Sequence, residues 1–87
     1  MAIVWIPSQL RDLTNDAETV MVSGATVRQV IEALDSAYPG TKARLCDENG
    51  LRRGLTVAVD TQVARLGLAQ PVGESSEVHF LPAISGG

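Results

Sequence analysis

The stretch Thr26-Val27-Arg28-Gln29-Val30-Ile31-Glu32-Ala33-Leu34-Asp35-Ser36-Ala37-Tyr38-Pro39-Gly40 decides how the chain is read. Val27, Val30, Ile31 and Leu34 stand at i, i+3, i+4 and i+7, the spacing of one apolar stripe along a helix. Thr26 caps that helix, and Gln29 three positions later completes a capping box. Tyr38 extends the stripe and Pro39-Gly40 stops it. The spacing predicts a helix over Thr26–Tyr38 with one face to bury, and such a face needs a sheet beneath it.

Sheet signals lie on both sides. Ala2-Ile3-Val4-Trp5-Ile6 is a β-branched and aromatic run closed by Pro7. Ser8–Leu13 carries Leu10 and Leu13 and reads as a helical turn or a loop, and Asn15-Asp16 signals a turn. A second strand is expected at Glu18–Val22, where Val20 and Val22 alternate with Thr19 and Met21; Ser23-Gly24 ends it. Two strands joined this closely predict an antiparallel hairpin. After the helix, Thr41–Cys46 reads as a short helical turn with Leu45 inward, and Asp47-Glu48-Asn49-Gly50 as a loop. Leu55-Thr56-Val57-Ala58-Val59 alternates as a strand, with Asp60-Thr61 turning the chain back through Gln62–Arg65. Gly67–Ser76 is mostly connection. Glu77-Val78-His79-Phe80-Leu81, closed by Pro82, is the last strand. Hairpin, helix and further strands make an α+β pattern, in which a single helix covers one face of the sheet.

Composition narrows the function. The chain has 87 residues, enough for one domain over 1–87. A chain of this size buries only about 60–65% of the surface its unfolded form exposes, so little interior remains for a cofactor cavity. Apolar residues make up 45% of the chain, which points to a folded domain rather than disorder. Ten acidic against seven basic residues give a net charge of −3, which argues against a nucleic-acid partner. Arg52-Arg53, with Lys42 and Arg44 shortly before, reads as a solvated face. The single cysteine, Cys46, cannot form an internal disulfide or a zinc cluster, which favours a reducing compartment. With no apolar run of the ~18 residues a membrane span needs, the expectation is a cytoplasmic protein without a membrane partner.

Catalytic signals are sparse. Cys46 reads as a small, half-buried apolar residue rather than a nucleophile. His79, between Val78 and Phe80, faces away from both if the strand alternates, and is expected to be an exposed sheet histidine rather than a general base. Glu74 and Glu77 read as the solvent side of a loop and strand. The chain carries neither a phosphate-cradling glycine loop nor a metal-spaced His/Cys set, so no stably bound cofactor or metal is expected. The distinctive feature is the end, Pro82-Ala83-Ile84-Ser85-Gly86-Gly87. Two glycines without Cβ atoms take backbone conformations barred to other residues, and so can thread a narrow channel and present a carboxylate to ATP. The bland alternative is a frayed terminus that happens to finish in glycine.

The segment Val78-His79-Phe80-Leu81-Pro82-Ala83-Ile84-Ser85-Gly86-Gly87 resembles the ending of the MoaD/ThiS family of ubiquitin-like sulfur carriers. Ile6-Pro7 followed by Leu10-Arg11, the stretch Val30–Leu34 ending near Tyr38, and Arg53 with Leu55–Asp60 resemble the cysteine-synthesis branch of that family, CysO. The resemblance implies a β-grasp fold, a mixed sheet of about four to five strands with the helix across it. It implies a protein cosubstrate and sulfur donor, at most the small non-catalytic subunit of a synthase, rather than an enzyme. By the resemblance, Gly87 is the residue whose carboxylate is adenylated and thiocarboxylated, and Gly86 the slender position before it. Leu81 and Pro82 form the segment that meets partners. By alternation Leu81 lies opposite Val78 and Phe80, where it serves either as a docking residue or as part of a second core face. The implied partners are an adenylating, sulfur-transfer enzyme of ubiquitin-activating type, which consumes ATP, and a downstream acceptor synthase. The sulfur would enter cysteine or molybdopterin synthesis. The alternative is a ubiquitin-like modifier conjugated to other proteins through Gly87.

Overall fold

In the computed structural model, which describes residues 1–82, the predicted β-branched runs line up as one sheet. β1 (Ala2–Trp5) pairs antiparallel with β2 (Thr19–Val22), in register Ala2 with Val22 and Val4 with Val20. Asn15 and Asp16 turn the chain between them at φ of 54° and 63°, a left-handed pair suited to short polar side chains. The last described strand, β7 (Glu77–Pro82), lies parallel to β1 on one side and antiparallel to β5 (Leu55–Val59) on the other. β6 (Gln62–Val63) closes the far edge, giving the order β2-β1-β7-β5-β6. The sheet is mixed because the two ends of the described chain meet side by side in its middle. A parallel pair needs a long crossover, and the helix over Val27–Ala37 is part of that crossover.

The helix α1 (Val27–Ala37) begins and ends as the sequence indicates, with Thr26 and Tyr38 as its caps. Val27, Val30, Ile31 and Leu34 are at most 1% exposed. They pack in one cluster with Val4, Val57, Val78 and Phe80 from the sheet. Each such side chain contributes about 1.5–3 kcal/mol of burial, which outweighs any local helix preference. The capping box is displaced by one residue. Thr26 Oγ1 accepts from the Gln29 N–H at 3.2 Å, but Gln29 Oε1 accepts from Ala25 N–H at 2.8 Å rather than from Thr26 itself. Gly24 lets the chain cross the helix start, since a Cβ there would sit 2.8 Å from Val30 N.

After α1, Gly40 takes φ of 103° and opens α2 (Thr41–Leu45), with Leu45 buried as expected. The Asp35 carboxylate accepts from the N–H groups of Gly40 and Lys42, 3.1 Å each, and so fixes the angle between the helices. The segment read as a loop, Asp47–Gly50, is instead the tip of a small hairpin, β3 (Cys46–Asp47) with β4 (Gly50–Leu51). Two-residue strands are too short for alternation to reveal them. The connection before β7 contains a 3-10 turn at Gly67–Ala69 and is pinned to the helix start, where Val27 N–H donates to Gln70 O and Val72 N–H to Ala25 O. Pro82, read as closing the last strand, is itself in register opposite Leu55.

A polar corner holds the entry to β7. Asp60 Oδ1 accepts from the Glu77 N–H at 2.9 Å and Oδ2 from the Ser76 hydroxyl at 2.7 Å. These bonds, the backbone one foremost, hold the Asp60 carboxyl below the ordinary carboxylate range.

Two outcomes follow from this packing. Leu34→Ala should lower the urea-derived unfolding free energy by about 2–5 kcal/mol, whereas Met21→Ala on the open sheet face should change it by only about 0.5 kcal/mol; equal losses would contradict the placement of the core. Because the folded carboxyl of Asp60 titrates below its unfolded value, its contribution is complete above the unfolded value. It is lost as pH falls from about 4 through the folded value. Thermal unfolding from pH 7 to 2 should therefore show an acid-side decline that is shallower in Asp60→Asn, and identical profiles would contradict the assignment.

Candidate functional site

The segment singled out at the end of the sequence grows from the centre of the sheet. Val78 and Phe80 are buried toward α1, so Glu77, His79 and Leu81 take the other face. The ladder with β1 stops at the Trp5–His79 pair, where Pro7 ends β1's capacity to donate, while pairing with β5 continues to Pro82. Residues 80–82 therefore have a strand partner on one side only, and Leu81 is 40% exposed. At that exposure Leu81 is no part of a second core face among the described residues. Gly86 and Gly87 lie outside the described residues.

The outer sheet face carries an arrangement that the sequence reading missed. Trp5 and His79, directly opposite in the parallel ladder, stack with ring centroids 5.4 Å apart and planes 9° from parallel. Trp5 Nε1–H donates to Glu77 Oε1 at 2.8 Å, which locks the indole flat on the imidazole. His79 does face away from Val78 and Phe80, but it is half-buried under the indole rather than freely exposed. The signal was present as an aromatic and a histidine both at outward positions; the parallel register that joins them was not readable. Around the stack, Met21, Val63 and Leu81 are exposed apolar residues. Glu74 and Glu77 are exposed as expected.

Cys46 sits elsewhere, at the small hairpin on the helix side of the sheet, where it packs against the core. Burial raises its thiol above the usual range, and the opposing attraction from Lys42 and Arg28 is smaller. The sheet separates it from His79, so the fold does not form the thiol–imidazole pair a nucleophilic enzyme needs. The clefts bordering Glu48 beside this hairpin are open to solvent. Of the basic residues in this region, Lys42 pairs with Glu32 at 2.7 Å, Arg44 pairs with Asp12 at 3.2 Å, and Arg52 donates to the Ala43 carbonyl at 2.9 Å, while Arg28 lines two of the clefts. Among the described residues no His, Cys, Asp and Glu group is arranged to hold a metal ion, and no helix is long and apolar enough to cross a membrane.

Comparison with known proteins agrees with this geometry. The sulfur carrier protein CysO of Mycobacterium tuberculosis is 35% identical over 89 residues, covering 97% of this chain and 96% of that protein. Its solved structure matches with a TM-score of 0.88 at 32% identity, covering 97% of this chain and all of the other. The CysO/BexX complex of Amycolatopsis orientalis includes a chain matching over 100% of both, at 36% identity and a TM-score of 0.91. The fold is thus the β-grasp of the CysO proteins, a five-stranded mixed sheet under one main helix. With a family model matching residues 4–87, the chain belongs to the ThiS family.

Proposed function

We propose that this chain is a sulfur carrier whose working group is the Gly87 carboxylate. The observation that carries the reading is the placement of β7: the strand is anchored on both sides in the sheet centre, and its last described residues, Leu81-Pro82, are exposed, paired with β5 alone and five residues before Gly87. The CysO relatives support the same reading.

The chemistry runs in two balanced steps on the partner enzyme. A Gly87 carboxylate oxygen attacks the α-phosphorus of ATP; the bond to the β-phosphate breaks and pyrophosphate leaves. The acyl-adenylate carbon is then electrophilic, because AMP leaves far more readily than hydroxide. A hydrosulfide-level donor attacks it, the carbon–oxygen bond to AMP breaks, and the terminus becomes a thiocarboxylate. Within this scheme the chain is a cosubstrate rather than an enzyme and binds no cofactor stably. ATP belongs to the activating partner. Gly86 supplies the slender approach, and Leu81 and Pro82 meet the partner. The likeness to CysO favours delivery to an acceptor synthase of cysteine synthesis over molybdopterin synthesis. The lone cysteine and the need for ATP fit a cytoplasmic site of action.

Intact mass after incubation with an adenylating enzyme of the same cell, ATP and sulfide tests this. The expected result is a gain equal to one oxygen replaced by one sulfur, absent when Gly87 is deleted; no gain with the full chain would sink the reading. Adducts of the chain on lysines of other proteins, in place of that gain, would favour the modifier alternative. Cys46→Ser should load sulfur as the unsubstituted chain does, and Cys46 should react with iodoacetamide at pH 8 more slowly than free cysteine.

A further inference from the structure

Resting on the carrier reading, we infer that the Trp5–His79 stack, held by Glu77, is the anchor by which the chain seats on its activating enzyme. Leu81 follows His79 by two residues on the same face, about 7 Å along the strand. The five residues from Ala83 to Gly87 reach at most about 18 Å beyond Pro82. A partner that holds Gly87 at its nucleotide therefore has its surface close to Leu81, and the face Leu81 stands on is the one carrying the stack.

The stack also has the properties of an anchor. Trp5 is 41% exposed, so one indole face is covered by His79 while the other meets solvent. The hydrogen bond to Glu77 removes, in the free chain, the rotamer freedom that binding would otherwise have to freeze. Exposed Met21 and Val63 flank it, and large preorganised aromatics amid apolar neighbours dominate binding interfaces. Charge completes the match. Glu77 is the one formally charged side chain at the outward positions of the five paired strands, and Asp60 is hydrogen-bonded to its backbone. The complementary surface is an apolar protein patch with a lysine or arginine at the border facing Glu77 and Asp60.

The test uses the full chain in ATP–pyrophosphate exchange with its adenylating enzyme, alongside the indole N–H resonance of the single tryptophan. Trp5→Ala should raise KM about tenfold or more with kcat little changed, and Trp5→Phe, which keeps a ring over His79, should recover part of the loss. In the unsubstituted chain the indole resonance should shift or broaden on adding the enzyme, which does not depend on any variant folding. Normal exchange with Trp5→Ala, or an unmoved indole while the unsubstituted chain is activated, overturns the inference and leaves the carrier reading standing. No exchange with the unsubstituted chain removes both.

Discussion

The structure depends on β7 being the middle strand. Val78 and Phe80 fill the core beneath α1, while the backbone of Val78 and His79 ties β1 to β5. Without that strand the described sheet would fall into a hairpin on one side and a short two-stranded ribbon on the other, neither able to bury the stripe of α1. The Asp60 corner and the bonds pinning Gln70–Val72 to the helix start set where β7 begins, and so fix its register. A one-residue slip would exchange Val78 and Phe80 with His79 and Leu81, so the core itself forbids it.

This constraint couples the fold to the proposed function. The strand that completes the core also carries the last described residues, Leu81-Pro82, five residues before Gly87. The chemistry asked of the chain is one carboxylate at a partner's nucleotide. What the domain must supply is a rigid body of recognisable surface and an exit aimed away from it. Cys46 and the small hairpin lie on the helix side, outside this arrangement.

How much was legible in the sequence follows from the range of the interactions. The α1 stripe repeats within eleven residues, so period and caps sufficed. The strands alternate and are bounded by Pro, Asn-Asp and Asp-Thr turns. Strand order is a different matter: the pairing of Val4 with Val78 spans nearly the whole chain, and nothing local in either strand encodes it. That topology came from the resemblance carried by the terminal motif. The Trp5–His79 stack escaped for the same reason, since it exists only once the parallel register is known. The β3–β4 hairpin escaped because two residues carry no period. Leu81 could be assigned to the outer face by parity, but only the structure shows that nothing among the described residues covers it fully. The Gly86-Gly87 end was legible as a motif and lies outside the described residues.

The most direct measurement is a structure of the full chain bound to its adenylating enzyme with a non-hydrolysable ATP analogue. The account predicts Gly87 at the α-phosphate, Leu81-Pro82 at the mouth of the channel, and the outer sheet face with Trp5 against the enzyme while α1 points to solvent. Docking through α1 or the Cys46–Leu51 hairpin, with Gly87 away from the nucleotide, would contradict it.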